Sequence, residues 1–324
     1  MTGPLLEVHD LRVVFPTRAG PLVALDGVSF DIARGEILGV VGESGAGKSL
    51  TGAAVAGLLD PPGRIASGEI RFGGRRIDNL GPDAMRRLRG RHIATIFQDP
   101  LTALNPLYTV GRQLVETLQT HFPQSTAQAR RRAAELLAET GIPGAAARLD
   151  DYPHQFSGGM RQRVVIALAL AGEPELVIAD EPTTALDVSV QAQIMDLLKR
   201  LSRDRGLSVL LVTHDMGVVA EVCDRVAVMY AGRVAEIGLV GDVTRAPAHP
   251  YTAGLMGAIP SMTIDRERLL QIDGSMPRLD AIPPGCAFHP RCPRAFALCG
   301  HDRPELMPAG ASRAACWLHR EGGA

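Results

Sequence analysis

Eight residues constrain the fold of this chain more than any others: Gly42-Glu43-Ser44-Gly45-Ala46-Gly47-Lys48-Ser49, a full match to G-x-x-x-x-G-K-S. The motif works only where a strand runs into a loop and the loop opens a helix, so that backbone N–H groups at the helix start converge on phosphate oxygens. Both flanks meet that condition. Glu36 to Val41 is a short apolar run, and Lys48 to Leu59 is rich in Ala and Leu at helical spacing. On this reading Gly42, Gly45 and Gly47 let the backbone wrap the phosphates, with Glu43, Ser44 and Ala46 completing the loop. Lys48 reaches the β- and γ-phosphates, and the Ser49 hydroxyl binds Mg²⁺. A Gly-rich turn is the competing account of the same residues.

Two further segments carry chemistry. Leu176-Val-Ile-Ala-Asp180-Glu181 is an apolar strand ending in two acids. The carboxyl edge of a sheet delivers such side chains to a phosphate site: Asp180 to hold Mg²⁺, Glu181 to take a proton from an attacking water. Capping a turn is the plainer role for such a pair. Phe156-Ser157-Gly158-Gly159-Met160-Arg161-Gln162-Arg163 opens a helix whose exposed N–H groups suit a second phosphate, although a Ser-capped helix start explains it as well.

Around these motifs the chain predicts an α/β protein. Leu6 to Val14 and Val23 to Ile32 are strand-like runs on either side of a Gly-Pro turn, an antiparallel beginning. From Gln98 to about Gly172 helix formers dominate, as in Thr126 to Thr140, which predicts a helical insertion. Strands and helices then alternate through Leu176–Ala179, Ser189–Asp204, Ser208–Thr213, Met216–Val222 and Arg225–Tyr230, the pattern of a mostly parallel sheet. This core is expected to end near Pro250.

The order of these segments resembles the ATP-binding subunits of ABC transporters, over Leu6 to about Pro250. The resemblance implies a P-loop NTPase cassette with a mostly parallel sheet core, an antiparallel β portion and a helical subdomain, about 99–172. It implies ATP and Mg²⁺ as ligands. Ser157, Gly158, Gly159 and Gln162 become the signature offered to a second subunit's nucleotide. Gln98, in Ile96-Phe-Gln98-Asp-Pro, is the Q-loop glutamine that contacts Mg²⁺ and water. Asp187, in Ala185-Leu186-Asp187, belongs to the D-loop at a dimer seam. His214, in Leu211-Val-Thr-His214-Asp215, is the switch histidine on the γ-phosphate, and Phe15 stacks on adenine. A satisfied hydrogen-bonding histidine and a core phenylalanine are the plainer readings of those two. Phe97-Gln-Asp-Pro-Leu-Thr-Ala-Leu-Asn-Pro106, Ala248-His-Pro-Tyr-Thr252 and the cysteine-containing tail are similar to bacterial oligopeptide/dipeptide and nickel importers. That similarity implies residues 251–324 as a small C-terminal extension. The partners it implies are a second ATPase subunit, two transmembrane permease subunits and an extracytoplasmic solute-binding protein. Short peptides are the implied cargo, with nickel or another small solute as the alternative. A soluble ABC ATPase of translation or DNA repair would carry tandem cassettes or a long coiled coil, and neither pattern is present.

Four of the five cysteines, Cys286, Cys292, Cys299 and Cys316, fall in the last 39 residues. In a reducing compartment such clustering reads as metal binding rather than disulfides. Their spacings of five, six and sixteen residues match neither C-x-x-C zinc pairs nor the ferredoxin run, so the metal stays open between Zn²⁺ and an iron–sulfur cluster. Some members of the resembling group carry a [4Fe–4S] cluster, which makes that the leading expectation, ahead of zinc and of metal-free buried cysteines. His289 and His319 are possible substitute ligands, and Cys223 is expected as a small buried hydrophobe in a helix. A net charge of -1 gives no sign of a nucleic-acid partner, and Arg86–Arg91 and Arg130–Arg132 read as solvated helix faces. No apolar run approaches the ~20 residues of a membrane helix, and Met1–Glu7 has no charged-then-apolar pattern. The expected place is the cytoplasmic face of the membrane, reached through a partner.

Overall fold

The computed structural model describes residues 3–18, 20–184, 186–258 and 271–320. The strands in chain order are β1 (Leu6–Thr17), β2 (Gly20–Ile32), β3 (Ile37–Val41), β4 (Arg64–Phe72), β5 (Arg75–Arg76), β6 (Ile93–Ile96), β7 (Leu176–Asp180), β8 (Ser208–Val212), β9 (Arg225–Tyr230), β10 (Arg233–Leu239), β11 (Met307–Ala309) and β12 (Ser312–Ala314). The chain divides into two compact units: Met1–Ala33 with Ile37–Asp78 and Val212–Ala324, and Arg34–Glu36 with Asn79–Leu211.

In the first unit β1 lies between β2 and β4, antiparallel to both, with Leu6 opposite Ile32 and Phe72. The expected antiparallel beginning is therefore present, with longer strands. All five residues of β3 are buried, as a strand covered on both faces requires. It pairs in parallel with β9, which continues antiparallel into β10. The helix after the phosphate loop, Lys48–Ala56, stops at Gly57, whose left-handed φ of 64° ends it short of Leu59.

The tail departs from the expected boundary near Pro250. β12 pairs with β10, Glu236 opposite Ala314, so the tail extends the sheet of the core. Val41, Tyr230, Tyr251 and Phe288 share one apolar cluster, with Cys286 and Cys292 packed on it. Glu236 is fully buried. A buried carboxylate must be satisfied, and the Ala248 N–H, the His249 N–H and the Ser312 hydroxyl all donate to it at 2.9 Å. These bonds tie the tail to β10. Cys223 also differs from expectation. It caps the helix Met216–Val222 in an extended conformation and is only partly buried, its sulfur packed where a Cβ on Gly39 would stand 3.0 Å away.

In the second unit β6 and β7 run parallel. The helices Pro100–Ala103, Val110–His121, Thr126–Glu139, Ala145–Arg148 and Gly158–Leu170 fill the expected helical region. Thr126–Glu139 begins where the sequence predicts because Ser125 and Gln128 form a reciprocal capping box. The arginine run lies on its surface: Arg130 pairs with Asp150, and Arg132 with Glu135 and Glu139. Among the described residues no helix is long and apolar enough to cross a membrane.

Candidate functional site

The phosphate loop leaves β3 and enters the helix Lys48–Ala56 through Gly47, a left-handed cap at φ 99° with no side-chain cap bond. The first helical N–H groups are thus not spent on a capping side chain. At two of its glycines the loop has no room for a Cβ. A Cβ on Gly42 would stand 2.3 Å from the Met229 carbonyl oxygen, and one on Gly47 would stand 2.6 Å from Leu25 Cδ2. Lys48 is 6% exposed. Its Nζ donates to the carbonyls of Gly42 at 2.9 Å and Glu43 at 3.1 Å, which folds the side chain back over the loop. Ser44, Gly45 and Ser49 are exposed, while Ala46 is buried against the unit.

His214 follows β8 by two residues and is exposed. Its neighbours fix it: the Thr213 N–H donates to the Val40 carbonyl at 3.1 Å, and Asp215 caps the helix Met216–Val222 by accepting from the Gly217 and Val218 N–H groups. Phe15 is partly exposed on β1. A Cβ on Gly63 would meet its ring at 2.6 Å, so Gly63 is the residue that leaves the ring its place.

In the second unit Asp180 ends β7 and Glu181 turns the chain with φ 44°, a left-handed conformation that a non-glycine residue adopts only under constraint. The constraint is visible. Glu181 Oε2 accepts from Gln98 Nε2 at 3.1 Å and from the Thr184 hydroxyl at 3.0 Å. Gln98 and Glu181, 83 residues apart in sequence, are therefore in direct contact. Ser157 caps the helix Gly158–Leu170 by accepting from the Met160 N–H at 3.3 Å, leaving Ser157 and Gly158 exposed.

Gln162 differs from Ser157 and Gly158 in burial. It is 1% exposed, because it lies one turn into that helix on the same face as buried Val165 and Ile166. Its side chain is buried within the unit, with Nε2 lacking a hydrogen-bond partner among the described residues. Asp187 caps the helix Val188–Arg205, accepting from the Val190 N–H at 2.9 Å. The Ser189 hydroxyl also donates to it, and these bonds hold its carboxyl below the usual range. Val188 beside it is 84% exposed. Ala185, in the same D-loop segment, lies outside the described residues.

Cys286, Cys292, Cys299 and Cys316 line one cavity of about 10 Å³, together with His289 and His249. None forms a disulfide. Burial pushes the Cys286 thiol up to about 11 and raises Cys292 and Cys316. In three cases the backbone N–H two residues on, of Phe288, Arg294 and Leu318, opposes that shift. Four thiols with such donors suit a four-thiolate centre. The cavity has room for about one water-sized atom. Among the described residues no three His, Cys, Asp or Glu side chains are already arranged to hold one ion. His319 is not on this cavity: its Nε2 bonds the Ala248 carbonyl at 2.8 Å.

Sequence reasoning missed two residues of the phosphate loop's surroundings, Tyr251 and Arg291. The Tyr251 hydroxyl accepts from the Glu43 N–H at 2.9 Å, and Arg291 Nη1 donates to both Glu43 carboxylate oxygens at 3.1 Å. Tyr251 stands in the Ala248-His-Pro-Tyr-Thr252 segment and Arg291 in the cysteine-containing tail, both named above for a resemblance but without a role for these residues.

A glycine-cradled phosphate loop opening a helix, and a strand-end Asp-Glu pair touched by a loop glutamine, define the class of P-loop nucleotide-binding cassettes. Comparison with known proteins refines the class. Residues 25–184 match the ABC transporter family model, and residues 235–299 match that of the oligopeptide/dipeptide transporter C-terminal region. The dipeptide transport ATP-binding protein DppD of Bacillus subtilis is 49% identical over 316 residues, covering 97% of this chain and 94% of the relative. The oligopeptide transport ATP-binding protein OppD of Salmonella typhimurium is 49% identical, covering 96% and 92%. Among solved structures, a dimeric post-hydrolysis state of the ATP-binding cassette MJ0796 bound to ADP and Pi superposes with a TM-score of 0.65 at 29% identity, over 72% of this chain and 98% of that one. The cassette cbiO1 from Clostridium perfringens superposes at 0.66 with 30% identity, over 75% and 91%. The chain therefore belongs to the ABC transporter family, as an ATP-hydrolysing subunit of its oligopeptide/dipeptide branch.

Proposed function

We propose that this chain hydrolyses ATP at the cytoplasmic face of the membrane to power the import of short peptides. It would act with a second ATPase subunit and two transmembrane permease subunits, and an extracytoplasmic solute-binding protein would supply the peptide. The observation that carries this reading is a relationship to DppD and OppD that extends along almost the whole chain, tail included. Exposed apolar residues support a protein partner. Phe97, Leu101 and Leu107, 49%, 61% and 79% exposed, surround Gln98 and its following helix, where a permease contact would meet the Q-loop.

The chemistry follows from the residues. Lys48 and the loop N–H groups of Gly42 to Ser49 would hold the β- and γ-phosphates, and Phe15 the adenine. Mg²⁺ bound through Ser49, Asp180 and Gln98 would neutralise phosphate charge. Glu181, held in place by Gln98 and Thr184, would accept the proton of the attacking water. His214 would contact the γ-phosphate. Ser157, Gly158 and Gly159 would be offered to the second subunit's nucleotide, and exposed Asp187 and Val188 would face the dimer seam. For the four tail cysteines, which line one cavity, we propose a structural four-thiolate centre, a [4Fe–4S] cluster, with Zn²⁺ as the alternative.

Uptake in cells lacking this chain tests the cargo. Labelled dipeptide and labelled nickel are followed in parallel, with complementation by the wild type and by Lys48→Ala. Dipeptide uptake restored by the wild type alone is the expected result. Restored nickel uptake with unchanged dipeptide uptake overturns the peptide assignment.

A further inference from the structure

The tail carries a charged residue that none of the chemistry above uses. Arg291 sits on a 3-10 turn, His289–Arg291, directly before Cys292. Its side chain is 8% exposed, unusual for an arginine unless its donors are used. They are used. Nη1 donates to both Glu43 oxygens at 3.1 Å and to the Tyr230 hydroxyl at 3.4 Å. Nη2 donates to the Ile272 and Gly274 carbonyls, and Nε to the Asp273 carbonyl at 2.8 Å. One planar fork thus gathers the chain at 272–274, the aromatic cluster of the core and the second residue of the phosphate loop, 248 positions away in sequence. Tyr251 completes the grip by accepting the Glu43 N–H, with its ring 4.7 Å from that of Tyr230 and 5.3 Å from that of Phe288. Met276 closes the same side, 4.0 Å from where a Cβ on Gly45 would stand.

A phosphate loop binds by pointing several backbone N–H groups at one spot, so its affinity depends on how far the empty loop is already held in that shape. Glu43 is the residue by which it is held here: both its carboxylate and its N–H are engaged from the tail side. We propose that Arg291 is a positioning residue for ATP, and that through Glu43 the C-terminal extension sets the phosphate loop's affinity for nucleotide. The proposal rests on the phosphate-loop reading above. Two consequences distinguish it from a purely structural contact. Loss of Arg291 weakens ATP binding rather than turnover at saturation, and by reciprocity ATP binding steadies the tail.

The test uses the full chain, with ATP affinity and ATPase rate measured for the wild type, Arg291→Ala, Arg291→Lys, Glu43→Ala, the Arg291→Ala/Glu43→Ala double variant and Lys48→Ala. Arg291→Ala should weaken ATP binding roughly 5- to 50-fold, with the saturated rate within about threefold of wild type. Lysine restores one charge but not the fork, so its affinity should fall between the two. In the Glu43→Ala background the same arginine substitution should cost less than about twofold. Unchanged affinity in Arg291→Ala, or an equal loss in both backgrounds, overturns the proposal. If Lys48→Ala binds ATP as tightly as the wild type, the phosphate-loop reading fails, and the strut with it; normal Arg291→Ala beside a dead Lys48→Ala removes the strut alone. Should Arg291→Ala fail to fold, amide exchange on the wild type decides. ATP must slow exchange across 286–300, and no change there refutes the coupling.

Discussion

Glu181→Gln separates chemistry from architecture at the proposed general base. The wild-type Oε2 accepts two bonds, from Gln98 at 3.1 Å and from Thr184 at 3.0 Å. A glutamine amide has the same shape, and its single oxygen can receive both donors. What it loses in the ground state is charge assistance, about 1 kcal/mol, so ATP binding should change by no more than about fivefold. What it loses in the transition state is the proton acceptor, a contribution of roughly 10²- to 10⁴-fold, or about 3–5 kcal/mol of barrier. The rate effect should therefore exceed the binding effect by more than tenfold. Phosphate release at saturating Mg²⁺-ATP, beside binding of a fluorescent ATP analogue, measures both quantities. A Glu181→Gln chain that keeps more than about a tenth of its turnover refutes the assignment of the general base. Equal losses in binding and turnover would mean that Glu181 acts by shaping the turn.

Three further predictions follow from the geometry. Gly42→Ala places a methyl 2.3 Å from the Met229 carbonyl, so backbone must shift; thermal melting should fall by about 1–3 kcal/mol of stability and nucleotide binding should be lost. Burial lowers His249 from 6.5 to about 4, so the folded chain refuses a proton that the unfolded chain accepts. That contribution, about 3 kcal/mol, is full above pH 6.5 and disappears as pH falls through 4; His249→Asn, which keeps an acceptor for the Tyr251 N–H, should flatten the stability profile over that window. Anaerobic metal and sulfide analysis should find a metal centre that Cys286→Ser loses. Four iron and four sulfide per chain would establish the cluster, stoichiometric zinc the alternative, and a metal-free wild type would refute the four-thiolate centre. Because a thiol held at about 11 must give up its proton, metal affinity should rise with pH.

What the sequence determined by itself is local chemistry. Gly42–Ser49 specifies its loop because the glycines, the lysine and the adjoining strand and helix are contiguous. Ser125, Ser157 and Asp187 start their helices because a cap needs only an acceptor and an N–H two or three residues on. The order of these motifs was enough to place the chain in its family. Tertiary structure decided the rest. Nothing near Gln162 in sequence says that the turn it belongs to faces inward, since this depends on which face of the helix finds a core. Likewise, a tail of prolines, glycines and cysteines reads as a separate appendage. It joins the core because Glu236, buried on β10, must be satisfied, and Ala248, His249 and Ser312 do so. The contact of Arg291 with Glu43 spans 248 residues. Local preferences reach only a few residues along the chain, whereas a pairing at that separation exists only once the intervening sheet and aromatic cluster have packed and brought its two ends together.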